Sequence, residues 1–263
     1  MVKYKAIRWA IKSSLTAPYY PWELPSKEGR KRHLERYLKK DLDTRVNQTM
    51  NAANRLGIRF PPSWSRETIA LCSDVFASKV YTKYKAFCPQ KHLVDIGAQY
   101  GDYSVLAAKS FGSNVVAFEP MKENFAALTE FVEINGLTHK IKTHNLAVGS
   151  GSEMSIEKRK NMIVQEGSER IRTAKLDEFK LSPDLLKLDV EGFEIEVLKG
   201  AANTIEKHRP RVIMETHSVK LRMEADEFLK SRGYKLAHVN KTYMYSRPIP
   251  WMDELSNRFY SPD

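Results

Sequence analysis

The chain has 263 residues, 42% of them hydrophobic and 29% charged, which suits a globular protein with one large domain and an appendage. Twelve Gly and twelve Pro exclude a collagen-like or low-complexity chain, two cysteines (Cys72 and Cys88) make no disulfide framework or zinc cluster, and no run of eighteen apolar residues offers a transmembrane helix. The net charge is +11, and residues 1–40 hold eleven Lys and Arg against three Glu. Such a field attracts anionic partners (nucleic acid, phosphorylated molecules, acidic lipid), although a solvated basic surface explains it equally well.

Residues 1–15 read as a short basic amphipathic helix; Arg8 interrupts its apolar run, so it makes a poor secretory signal, and it suits either packing on its own domain or lying peripherally on a membrane. Residues 17–25 are a proline- and aromatic-rich linker. The spacing of Leu34, Leu38, Leu42, Val46, Met50 and Ala53 predicts one long helix over 27–56, stopped by Gly57 and Pro61-Pro62. Ser65 is a candidate N-cap for a further helix running toward Tyr84 and ending before Pro89.

From residue 91 short apolar runs alternate with helical segments. Strands are expected at 92–96, 114–119, 140–148, 185–190 and 211–215, and helices at 103–111, 122–135, 194–208 and 224–232. Two final strands are expected at 234–239 and 242–246, and residues 149–180 hold a hairpin and a short helix. This alternation predicts a parallel sheet covered on both faces, with ligands at the carboxyl ends of its strands.

The segment Val94–Ser104, VDIGAQYGDYS, follows a strand and opens a helix. Gly97 and Gly101 permit a sharp turn and close backbone approach to a ligand; the alternative is a tight turn that holds none. Asp95 at the strand end suits an amino group or a water better than a phosphate. Glu119 ends the second strand and can accept from both ribose hydroxyls, and Pro120 and Met121 can pack on a flat base. A turn beginning with Asp and lacking a phosphate-cradling Lys narrows the nucleoside toward S-adenosyl-L-methionine. No P-loop and no G-x-S-x-G elbow is present, which argues against an NTPase or a hydrolase.

In order and spacing, VDIGAQYGDYS, AFEP, NLAVGS, KLDEF, LLKLDVEGFEIEVLKGA and RPRVIMETH resemble the blocks of the FkbM-type S-adenosylmethionine-dependent methyltransferases, over residues 70–246. Gln99 stands where that family usually has Asn. The resemblance implies an α/β fold, a Rossmann-like class I methyltransferase with a seven-stranded, mostly parallel sheet and a reversed final hairpin, here with an N-terminal helical extension. The divisions expected are a basic extension at 1–60, a helical lead-in at 61–90, the methyltransferase domain at 91–250 and a tail at 251–263.

By resemblance, Asp95, Gly97, Ala98 and Gly101 cradle the methionine part of the cofactor, with Tyr103 and Ser104 beside them. Glu119 and Pro120 take the ribose and base, Asn145 and Ala147 lie near the adenine, and Asp189 reaches the methyl position. A hydroxyl acceptor needs a base, and the candidates are Asp189, Glu191, Glu194, Glu215 and His217. Asp189 and His217 lead. Glu194 has a bland alternative in complementing its helix dipole, Glu191 one in fixing its loop and His217 one as a surface histidine. No metal is assigned, although oxygen ligands with one His can hold a divalent cation.

The family's activity is chiefly O-methylation of sugars and other small molecules. The partner expected is a small-molecule, glycan or glycolipid acceptor of anionic character. RNA, bound through the basic N-terminal region, is an alternative acceptor, and a non-catalytic binding module is an alternative role. The location expected is cytoplasmic, with the option of peripheral membrane contact through residues 1–15.

Overall fold

The computed structural model describes residues 42–159, 162–165, 169–216, 218–241 and 256–263. The segments expected as a helix at 1–15, a linker at 17–25, the start of the long helix and a strand at 242–246 lie outside the described residues.

Strands β1 (His92–Ile96), β2 (Asn114–Phe118), β3 (Ile141–His144), β7 (Leu185–Leu188), β8 (Arg211–Thr216), β9 (Tyr234–Lys241) and β10 (Ser256–Pro262) form one sheet in the order β3-β2-β1-β7-β8-β10-β9. The first five are parallel, and only β10 runs against its neighbours. Strand order reverses between β1 and β7, so the crevice above their carboxyl ends is where such a sheet binds ligands.

Successive residues of a strand point to opposite faces, and the packing follows that period of two. Leu93, Val115, Leu185, Ile213 and Phe259 pack into one core. Val94, Ile96, Phe118, Leu186, Leu188, Val212, Met214 and Tyr260 pack into the other. The first face is covered by α4 (Asp102–Phe111) and α5 (Lys122–Ile134), the second by α6 (Glu194–Gly200), α7 (Ala202–His208) and α8 (Val219–Lys230).

Helix α4 buries six of its ten residues, Tyr103 through Ala108, more than a single apolar stripe needs. The reason is a further layer outside it. Residues 42–87, with helices α1 (residues 42–55), α2 (Arg66–Leu71) and α3 (Ser73–Phe76) and a 3₁₀ turn (Lys85–Phe87), contribute Ala52, Ala53, Ile58, Cys72, Phe76, Tyr81 and Phe87 to the same core, while Ile69 and Ala70 of α2 pack on Val46 of α1. Phe60 stacks on Phe131 at 5.3 Å, Trp64 leans on Phe131 at 4.8 Å, and Asn135 exchanges hydrogen bonds with the backbone of Arg59 at 2.9 Å each. These contacts tie residues on both sides of residue 60 to α5 and the residue after it.

Several elements depart from the sequence expectation, each for a local reason. The helix expected from Ser65 toward Tyr84 is interrupted at Cys72 and ends at Phe76. Ser65 caps its start through the Thr68 amide, but the amides of Ala77 and Ser78 both turn back to the Ser73 carbonyl, and Lys79 takes φ 54°. The helix expected over 194–208 is divided at Ala201, because Asp177 accepts the amides of Asn203 and Thr204 and the Thr204 hydroxyl, and so starts α7 afresh. Helix α8 begins five residues before the expected start, where the Ser218 hydroxyl caps the Leu221 amide. The third strand ends at His144 rather than Val148.

The stretch 149–180 holds a three-stranded antiparallel sheet, β5-β4-β6 (β4 Glu153–Arg159, β5 Met162–Gln165, β6 Glu169–Arg172), and a 3₁₀ turn at Leu176–Phe179. Strand β10 lies where the expectation put a tail. Among the described residues no helix is long and apolar enough to cross a membrane.

Candidate functional site

The crevice at the β1–β7 switch opens into a cleft enclosing about 710 Å³ of space, part of it open solvent. Its floor is the turn after β1. Gly97 has φ 76°, and a Cβ placed there would meet the Asp189 carbonyl oxygen at 1.8 Å, so only glycine lets the turn close against β7. The amides of Gly97 and Ala98 both donate to the Phe118 carbonyl at 3.0 Å, tying the turn to β2. Gln99 takes φ 49°, a conformation that Asn adopts more readily than Gln.

Glu119 stands at one end of the cleft and is only 5% exposed. Its Oε2 accepts the Gln99 amide at 2.9 Å; its Oε1 accepts the Met121 amide at 2.9 Å and the Asn124 side-chain amide at 3.3 Å. Burial pushes its carboxyl above the usual value, while these donated bonds pull it back. Pro120, Met121, Leu146, Ala147, Val148, Ile171 and Phe193 line the apolar wall.

Asp189 stands at the other end, with its side chain 25% exposed. Beneath it lies a group of charges that the β register assembles. Asp95 and Lys187 are partners across β1 and β7, and alternation puts both on the face covered by α4. The Lys187 Nζ is 3.2 Å from Asp95 Oδ1, 3.7 Å from Asp189 Oδ2, and donates to the Gly97 carbonyl at 3.0 Å. Ser104 donates to Asp95 Oδ2 at 2.7 Å. Burial alone would depress the Lys187 ammonium, but Asp95, Asp189 and Asp102 outweigh it and raise the ammonium above its ordinary value. Tyr81 reaches in from the turn after α3: its hydroxyl donates to Asp189 Oδ2 at 3.3 Å and its ring packs on Tyr103 at 4.9 Å.

Asp102, at the start of α4, keeps some exposed surface but is ringed by protein, and burial raises its carboxyl to about 7 against the opposing pull of Lys187 and the Tyr103 amide. A carboxyl raised on folding contributes stability that is present at low pH and lost as pH rises through about 7. The melting temperature is therefore expected to fall between about pH 4 and pH 7 and to level off above, and Asp102→Asn, which retains an acceptor for Tyr103, is expected to flatten that fall. Parallel melting curves of the two proteins check it; equal slopes would count against the assignment.

Of the residues expected around a cofactor, Gly97, Glu119, Pro120, Ala147 and Asp189 line the cleft. Asp95, Ala98, Gly101, Tyr103 and Ser104 lie buried beneath its floor, so Asp95 meets Lys187 and Ser104 there. Asn145 is exposed at the rim, where its side-chain amide donates to the Glu119 and Pro120 carbonyls at 2.9 and 3.1 Å.

Of the candidate bases, Asp189 and Glu191 line the cleft; Glu191 sits at φ 51° in the turn after β7. Glu215 is half-buried at the end of β8, next to Asp189 by continuation of the Leu188–Met214 register, and is not on the cleft wall. Glu194 is fully buried and accepts the Gly192 amide at 3.1 Å, bracing that turn from behind. His217 lies outside the described residues.

Sequence reasoning missed Lys187 and Tyr81. A lysine inside the apolar run LLKLDV signals a buried charge awaiting partners; nothing local to Tyr81 announces its place. Among the described residues no three His, Cys, Asp or Glu side chains are arranged to hold a metal ion.

Comparison with known proteins agrees with this geometry. The methyltransferase FkbM domain profile matches residues 95–236, more than half of the chain. The hexuronic acid methyltransferase AglP of Haloferax volcanii is 33% identical over 137 residues, which are 48% of this chain and 56% of that protein. The crystal structure of methyltransferase FkbM from Methylobacillus flagellatus superposes with a TM-score of 0.54 at 17% identity, covering 84% of this chain and 60% of that one, and supports the fold. The chain thus spans little more than half the length of either protein. The profile match, together with the shared fold, shows that the chain belongs to the FkbM methyltransferase family.

Proposed function

We propose that the chain is an S-adenosylmethionine-dependent O-methyltransferase acting on a hydroxyl of a sugar, glycolipid or related small molecule. The observation that carries the reading is one cleft at the sheet's switch point with Glu119 at one end and Asp189 at the other. When bound, the cofactor supplies an electrophilic methyl carbon on a sulfonium.

The residues present suit that group. The glycine turn offers bare backbone, and the apolar wall beside Pro120 and Met121 suits a flat base. A carboxylate has about four acceptor sites, and Glu119 uses three of them. The long Asn124 contact is the one that yields to a second ribose hydroxyl.

Asp95 then serves from below: with Lys187 it fixes the Gly97 carbonyl and the floor of the turn. Asp189 accepts the proton of the acceptor hydroxyl and orients that oxygen for in-line attack. Phe193, Val190 and Ile171, which pack together on the cleft wall, exclude water from the reacting end.

Glu119→Ala is expected to weaken cofactor binding by about 1–3 kcal/mol through loss of charged hydrogen bonds. Calorimetry with S-adenosylmethionine checks it, and an unchanged affinity would remove the ribose role.

The reacting oxygen is a neutral hydroxyl. Asp189, Asp102 and Glu215 all act on Tyr81 at this end, and the ammonium of Lys187 is engaged with Asp95 and Asp189. An anionic acceptor oxygen would face the Asp189 carboxylate directly; a negative group on the acceptor belongs farther from the reacting end. The hexuronic acid named for AglP presents both oxygen types, a carboxylate and hydroxyls.

The test is to supply methyl-labelled S-adenosylmethionine with a panel of hexose and hexuronic-acid glycosides and treat the product with mild alkali. A methyl ether keeps the label; release as methanol would identify an ester and contradict the reading. Including bulk RNA in the panel tests the nucleic-acid alternative, and cofactor binding without any transfer would favour a binding module.

A further inference from the structure

We infer that Tyr81 is a positioning residue for methyl transfer, holding the Asp189 carboxylate through Oδ2 so that Oδ1 is presented to the acceptor. The inference rests on the methyltransferase reading above and extends it to a residue outside the segment 95–236 that the family shares.

Three observations carry it. The Tyr81 hydroxyl donates to Asp189 Oδ2 at 3.3 Å, and Lys187 approaches the same oxygen at 3.7 Å. Both contacts fall on Oδ2, so the carboxylate is held by one oxygen. The Tyr81 ring is itself immobilised: it is 7% exposed, lies on Tyr103 at 4.9 Å, and has the Lys187 ammonium 5.8 Å from its centroid. Finally, its segment is fixed by the turn after α3, where the Val80 amide donates to the Asp74 carbonyl at 3.0 Å.

The hydroxyl remains a donor across the working pH range. Burial, and then the charges of Asp189, Glu215, Asp102 and Asp74, hold the phenol far above its ordinary ionisation. Lys187 alone would leave the carboxylate to pivot about one loose contact, because that ammonium is already shared with Asp95 and the Gly97 carbonyl. The outer helical layer thus contributes a group to the reacting end as well as packing.

Tyr81→Phe keeps the ring and its contact with Tyr103 and removes only the hydroxyl. Turnover is expected to fall about 10-fold, as for a lost hydrogen bond to a charged group, with the affinity for S-adenosylmethionine and the KM for the glycoside acceptor unchanged. In an Asp189→Asn background the same change is expected to have no further effect, because Tyr81 acts through that carboxylate. Crystals of Tyr81→Phe give a readout that needs no acceptor: the Asp189 side chain should leave its position beside Lys187. Full turnover in Tyr81→Phe, an additive double variant or an unmoved Asp189 would each overturn the inference. A wild-type chain that binds no S-adenosylmethionine would instead overturn the reading beneath it.

Discussion

Asp189→Asn is expected to lower the rate of methyl transfer by about 10²–10⁴-fold, the range associated with loss of a general base, while cofactor affinity changes little. The substitution is close to isosteric and its amide oxygen can still accept from Tyr81, so the cleft keeps its shape. The side chain is a quarter exposed and Lys187 keeps Asp95, so the fold bears the change without a buried orphan charge. Separate measurement of turnover and of S-adenosylmethionine affinity distinguishes a base from a binding group: equal losses in both would assign Asp189 to the cofactor, and full turnover would remove it as the base.

Lys187→Met is expected to have the largest effect on stability. It removes the cation from between carboxylates and leaves Asp95, which is fully buried, with Ser104 as its remaining side-chain partner among the described residues. Breaking a buried ion pair by deleting one partner costs about 3–5 kcal/mol. For a chain of this size that is a fall in melting temperature of roughly 6–20 °C, at about 2–4 °C per kcal/mol. The double variant Asp95→Asn/Lys187→Met removes both charges and is expected to recover much of the loss. Melting curves of the parent and the two variants test this; a single variant as stable as the parent would show that the charge cluster carries no structural weight. The cofactor turn should suffer as well, since Lys187 also holds the Gly97 carbonyl.

What the sequence revealed and what it hid follow from how local each signal was. The glycine turn and Glu119 are adjacent in sequence to the strands that carry them, and their backbone demands are visible in the residue types. Strands β1, β2, β7 and β8 are short apolar runs because both faces of the sheet are covered.

Strand β10 escaped because its segment, SNRFYSP, has two apolar residues and two buried polar ones. Arg258 is satisfied in a bidentate contact with Asp226 of α8 at 2.8 and 2.6 Å, and the Tyr260 hydroxyl joins the same carboxylate at 2.6 Å. A strand stabilised by a partner on a distant helix leaves no hydrophobic period to read.

The division of the helix at Ala201 was hidden for a related reason. Gly200 lies so close to the Gly149 carbonyl that a Cβ would sit 1.8 Å from it, and Asp177 caps the second half. The site followed the same rule. Asp95 was legible as a strand-end acid, but its engagement with Lys187 depends on strand register, and Tyr81 reaches Asp189 across 108 positions of sequence.

The most direct test of the central claim is a crystal structure of the chain with S-adenosylhomocysteine. The account predicts the adenosyl group in the cleft between Glu119 and Asp189, with the ribose hydroxyls on the Glu119 carboxylate and the sulfur turned toward Asp189. A ligand bound elsewhere on the chain, or a cleft that stays empty at saturating concentration, would contradict it.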